Sequence, residues 1–171
     1  MKTVQTTQPW DMAGADGLVA ARALFGEAVD HLAPFQSLET VLEGEDCSVL
    51  RLGDRNFRIT YPGLLDQAIA PLNRQLWVTQ LAWMAAITLP SASLPALAAQ
   101  ATARAPHRLC SLPLHRAVPA QVAQTSVLMW HHPIAGQPML ELHLANSQIK
   151  NFWDVIQPFN GSSVSLTTAH P

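Results

Sequence analysis

His131-His132-Pro133 closes a β-rich run, and His115 and His143 lie nearby in the chain. Imidazole titrates near neutral pH and is the commonest metal ligand. A strand-end pair with a third histidine could therefore hold zinc or move protons. The ligand spacings that mark zinc sites are missing, and His107-Arg108-Leu109-Cys110 is an isolated H-x-x-C. Because side chains alternate along a strand, His131 and His132 should leave opposite faces, one of them packing on Trp130. Spacing alone assigns no metal ligand and no catalytic residue, and a chemical role for His131, His132 or Cys110 stays open.

The nucleophile candidates are equally bare. Cys47 and Cys110 both fall in runs that read as strands, where an inert buried thiol is the common outcome. No serine sits in a G-x-S-x-G turn. Glu39, Glu43, Glu45 and Asp46 form an acidic run around a turn, the pattern of a solvated face. Thr60, Tyr61 and Gly63 precede one expected helix, and Ser91 precedes another. Free backbone N–H groups there could hold a carboxylate or phosphate, although the same residue types cap helices with no ligand at all.

Large aromatics form a further group. Trp77 and Trp130 are expected in the core. Phe152 and Trp153 are adjacent on an expected helix, where neighbours diverge by about 100°, so one of them should face a surface or a partner.

The elements that position these residues follow from periodicity. Asp16 caps an amphipathic helix built on Leu18, Ala21, Phe25, Val29 and Leu32 and stopped by Pro34. A short helix is expected over 38–43, ended by Gly44. A hairpin spans 47–52 and 56–61 around Gly53-Asp54-Arg55, with Phe57, Ile59 and Tyr61 on one face. Residues 64–72 read as helix, 76–79 as strand, 94–104 as helix, 109–114 and 125–131 as strands, and 139–156 as the last helix. The fold class is α+β: an antiparallel or mixed sheet of about five strands packed by N-terminal, middle and C-terminal helices. With no internal repeat and no long linker, the expected organisation is a flexible arm (1–15), one globular domain (16–157) and a flexible tail (158–171).

Composition narrows the function classes. Of 171 residues, 49% are hydrophobic and only 13% are charged, against about 25% charged in ordinary domains. This excludes a disordered chain and raises the expectation of a covered apolar surface, in a homodimer or against a protein partner. The net charge of −2 and the scattered basic residues argue against nucleic acid. The start lacks an apolar signal core, and the longest apolar run, 81–89, is too short to span a membrane. Free thiols then point to a cytoplasmic protein, and Arg-over-Lys and Ala-rich usage to a bacterial one.

The element order over 17–156 resembles the small dimeric chaperones of bacterial type III secretion, which implies binding of a partner's unfolded segment without chemistry. Arg108-Leu109-Cys110-Ser111-Leu112-Pro113-Leu114, followed by Val127-Leu128-Met129-Trp130-His131, is similar to closing strands of the effector-binding domain of LysR-type regulators, which implies small-molecule sensing. The leading expectation is a non-enzymatic, chaperone-like or regulatory interaction module without a cofactor, binding its partner near Phe152 and Trp153. One alternative is a carboxylate or phosphate sensor using Thr60, Tyr61, Gly63 and Ser91. The other is a small enzyme with a His-containing site.

Overall fold

The computed structural model describes residues 2–4, 8–159 and 164–166, with side chains described for 8–158. The fold is α+β, with two five-stranded antiparallel sheets and N-terminal, middle and C-terminal helices. Strand β1 (Lys2–Val4) pairs in parallel with a late strand over Val164–Leu166. The chain falls into two compact units, Thr7–Ala82 and Trp83–Pro171 with Met1–Thr6. Most of the stretch 158–171, expected as a tail, lies outside the described residues.

The first unit opens on β2 (Trp10–Ala13), inside the stretch expected as a flexible arm. Trp10 and Met12 are buried there, and β2 is hydrogen-bonded on both sides. Helix α1 (Gly17–Phe25) follows, and Gly26, at φ 87°, breaks the expected long helix into α1 and a 3-10 segment, Glu27–His31. Asp16 stands at the N-cap of α1, but its side chain makes no capping hydrogen bond. Its carboxylate accepts a hydrogen bond from the Gln75 N–H at 2.9 Å instead. Gly17 is required by close approach, since a Cβ there would lie 2.1 Å from the Arg55 carbonyl oxygen.

Strands β3 (Ser37–Leu42), β4 (Glu45–Gly53) and β5 (Asn56–Thr60) form a meander, and β5 returns to pair with β2. The helix expected over 38–43 is therefore a strand. Glu43 and Gly44, both at positive φ (53° and 88°), make the two-residue reversal that a hairpin of type I′ needs. Helix α2 (Leu65–Ile69) and edge strand β6 (Trp77–Gln80) complete a sheet of order β3-β4-β5-β2-β6. Phe57, Ile59 and Tyr61 share the buried face, as alternation requires.

Three charged residues tie this unit together. Asp11 and Arg58 stand opposite each other in register and form a two-pronged ion pair at 2.8 and 2.9 Å. Arg51 donates to the carbonyls of Leu32 (2.8 Å), Gly53 (3.1 Å) and Asp54 (3.1 Å), joining the segment after α1 to the β4–β5 turn.

The second unit repeats this chain path without repeating its sequence. It runs from β7 (Met84–Pro90) through a 3-10 turn, Ser91–Ser93, into α3 (Leu94–Ala98). Strands β8 (Ala101–Ala103), β9 (Arg116–Val122), β10 (Thr125–Ile134) and β11 (Gln137–Ala145) then form a meander whose last member closes on β7. Helix α4 (Ile149–Ile156) follows. The last helix is thus half as long as 139–156 suggested. Its first part is β11, on which Leu140, Leu142 and Leu144 alternate into the core beside Ile87, Leu89, Met129 and Phe152. Residues 109–114, expected as a strand, form turns.

Replacing Arg51 with Ala leaves carbonyls in a part-buried turn without their charged donor, at about 1–3 kcal/mol. Urea unfolding should show that loss, and Arg51→Lys should recover only part of it, because an ammonium cannot reproduce the planar fork.

Candidate functional site

Alternation sends Trp130 and His132 from β10, and Glu141 and His143 from β11, to the sheet face opposite the leucine core. Trp130 stands directly across from Glu141. Its indole stacks on His132, with ring centroids 3.9 Å apart and planes 17° apart, and meets His143 edge-on at 5.9 Å. His132 Nε2 donates to Glu141 Oε2 at 3.1 Å, and His143 Nε2 donates to Glu141 Oε1. The neighbours on the flanking strands are small, Ala117 across from Trp130 and Ala86 across from His143, which leaves room for the rings.

All four side chains belong to residues no more than 3% exposed. Burial alone would raise the Glu141 carboxyl. The charge of His143 and the hydrogen bonds from both imidazoles outweigh burial and hold the carboxyl well below the usual carboxylate range. Glu141 is therefore a buried anion between two imidazole donors. Buried His–carboxylate sets with displaced titration cluster at functional sites. Sealed from solvent, this one acts by fixing tautomers and holding charge.

His131 leaves the other face of β10. Its Nε2 lies 2.8 Å from Ser91 Oγ and its Nδ1 lies 3.0 Å from the Leu112 carbonyl oxygen. A carbonyl can only accept, so Nδ1 carries the proton, and Nε2 of the neutral ring accepts from the Ser91 hydroxyl. Ser91 and His131 are both half-buried, at the rim of the leucine core. His131 and His132 thus head two networks on opposite faces of one strand.

Other expected site residues fall elsewhere. Thr60, Tyr61 and Gly63 belong to the first unit and Ser91 to the second. The Tyr61 hydroxyl donates to Glu43 at 3.2 Å, and its ring covers Gly63, where a Cβ would come within 2.5 Å. Burial and the Glu43 charge push the Tyr61 phenol up. The Ser91 hydroxyl is engaged with His131. Phe152 is fully buried and Trp153 half-buried, and both pack on the leucine core. The exposed tryptophans are Trp77 (52%) and Trp83 (59%), so Trp77 is no core residue, whereas Trp130 is fully buried.

Cys47 is buried and Cys110 exposed in a turn. Among the described residues no group of three or more His, Cys, Asp or Glu side chains is arranged to hold a metal ion. His132 and His143 both spend Nε2 on the carboxylate. Glu141 escaped the sequence reading. Its signal was a lone carboxylate two residues from a histidine inside an alternating leucine run, visible only once 137–145 is read as a strand.

No protein-family model matches the chain, and no curated protein sequence matches it. Solved structures do. Aminomethyltransferase T of the glycine cleavage system from Bartonella henselae shares the fold over 95% of this chain, at TM-score 0.63 and 14% identity. The chain spans only 46% of that protein, about half its length. A chain of the heterotetrameric sarcosine oxidase from Corynebacterium sp. U-96, solved with pyrrole 2-carboxylate, matches over 94% of this chain and 83% of its own length, at TM-score 0.58 and 20% identity.

This likeness corrects the expected function. Both matched folds belong to enzymes, and the chain carries a buried His–Glu–His set, so the non-enzymatic chaperone-like or regulatory module is set aside. The alternative of a His-containing enzyme fits better. The physical reason for the miss is that its histidines converge through strand pairing, which no spacing in the chain reveals.

Two measurements check the site. Glu141 has a carboxyl lowered from an ordinary 4.5, so its stabilisation is complete above that value and is lost as pH falls below it toward the folded-state value. Glu141→Gln should lower stability at pH 7 by about 3–5 kcal/mol, as for a broken buried pair. The gap from the wild type should narrow on acidification below 4.5 in thermal melts. A gap that widens there would remove the buried carboxylate. Separately, burial pushes the Cys47 thiol up to about 12, so a thiol reagent on native protein should label Cys110 promptly and Cys47 only on unfolding.

Proposed function

We propose that this chain is a component of an enzyme acting on small amino acids that carry a one-carbon group on nitrogen. The observation that supports this reading best is a fold shared over 94–95% of the chain with an aminomethyltransferase and a sarcosine oxidase chain. Sarcosine is N-methylglycine and an aminomethyl group is a CH2 on an amine nitrogen, so both names concern a single carbon bonded to an amine nitrogen. The match to most of one chain of a heterotetramer, against about half of the aminomethyltransferase chain, favours a subunit working with other chains.

In this reading the protein partner is another subunit, and the exposed Trp77 of the first unit and the exposed Trp83 of the second, with few charges around the chain, each suit a covered surface. The Glu141 network serves as a rigid base for β10. Among the described residues no helix is long and apolar enough to cross a membrane. The two free thiols favour a reducing cytoplasm.

The test uses the chain in its own host, tagged at its gene. Gentle purification should bring down further chains as one complex, and that complex should convert sarcosine to glycine, with the activity lost on deletion of this gene. A chain that elutes alone, from cells whose sarcosine turnover survives the deletion, would sink the proposal.

A further inference from the structure

The Ser91–His131 pair plays no part in the function proposed above. A serine hydroxyl is a weak nucleophile until a base takes its proton in the transition state. Two features needed for that are present together. Ser91 Oγ and His131 Nε2 are 2.8 Å apart, within direct transfer distance. The Leu112 carbonyl, 3.0 Å from Nδ1, holds the proton on the far nitrogen and leaves Nε2 free to accept. In a serine triad a carboxylate does this orienting work. Here a neutral backbone carbonyl fixes the tautomer but stabilises the imidazolium less.

Ser91 and His131 both keep part of their surface in solvent. They are half-buried at the core rim, not sealed inside it. Ser91 begins the turn that follows β7, and His131 reaches it across β11 from β10. Arg116 stands directly across from His131 in the β9–β10 register, so its side chain leaves the same face. A cation beside the pair favours a substrate with a negative charge near the reacting carbonyl.

We propose that Ser91 and His131 form a nucleophile–base pair that transfers small acyl groups from esters bearing an anionic substituent. In the first step Ser91 Oγ bonds to the acyl carbon. Its proton passes to His131 Nε2, and the ester C–O bond breaks with the electron pair leaving on the alkoxide or phenoxide oxygen. The leaving oxygen then takes the proton from Nε2, or, where a phenoxide departs as the anion, Nε2 releases that proton to water, and in both cases the ring returns to its neutral form. In the second step water attacks the acyl carbon, His131 accepts its proton and returns it to Ser91 Oγ, and the free acid departs.

The probes are a fluorophosphonate and two nitrophenyl esters, the neutral acetate and the anionic hemisuccinate, applied to the intact chain. The fluorophosphonate should leave one adduct per chain, mapped to Ser91 by peptide mass spectrometry. Hemisuccinate should be hydrolysed faster than acetate, and Arg116→Gln should erase that preference. Ser91→Ala should abolish the adduct, and His131→Ala should slow it about 10²–10⁴-fold, each with an unchanged circular dichroism spectrum. If a variant fails to fold, the site of the wild-type adduct still decides. A folded wild-type chain that takes no adduct at Ser91, or one labelled there equally fast in His131→Ala, overturns the proposal.

Discussion

A carboxylate with no access to water needs two donors, and the second unit is arranged around supplying them. Glu141 receives His132 from the neighbouring strand and His143 from its own. Removing either donor would leave the anion under-compensated in a low-dielectric site, where an unpaired charge costs several kcal/mol. The pairing of β10 with β11 is therefore set by electrostatics on one face as well as by leucine packing on the other. Trp130, stacked on His132 and edge-on to His143, fills the space beside the ion set. Everything else on β10, including His131 and its bond to Ser91, inherits its position from that pairing.

The two units share a chain path of strand, helix, returning meander and helix, yet they are tied differently. The first relies on the Asp11–Arg58 pair and on Arg51 spread over the carbonyls of Asp30, Leu32, Gly53 and Asp54, all part-buried or exposed. The second buries the Glu141 ion set completely. A common backbone plan thus supports a unit held by rim charges and a unit with a polar interior, which is the one carrying both histidine networks.

Much of the fold was legible in the chain. The β4–β5 hairpin, the helix over 64–72 and the strand near Trp77 all followed from periodicity. Reversals were the weak point. Glu43-Gly44, Ala123-Gln124 and Ala135-Gly136 each make a two-residue turn with both φ values positive, but Glu-Gly, Ala-Gln and Ala-Gly lack the Asn-Gly signature of such hairpins. Without those turns, 38–43 and 139–145 pass for helix and β9 passes for a connection. The site failed to show for the same reason. His132 and Glu141 are nine residues apart in sequence and meet only across the Ala135-Gly136 turn. The opposite faces of His131 and His132, by contrast, followed from alternation alone.

The adjacency of His131 and His132 has a consequence for how this sheet tolerates change. The residues are consecutive and their faces are exclusive, so inserting or deleting one residue in β10 would exchange their roles. An imidazole suited to a sealed ion set would land beside Ser91, and the one suited to a hydroxyl would be left beside the buried anion. Length variation in this unit is therefore confined to the segments between strands, while β10 can change in composition but not in count. The long stretch between β8 and β9, which brings the Leu112 carbonyl to His131, is where size can vary as long as that one carbonyl returns to its place.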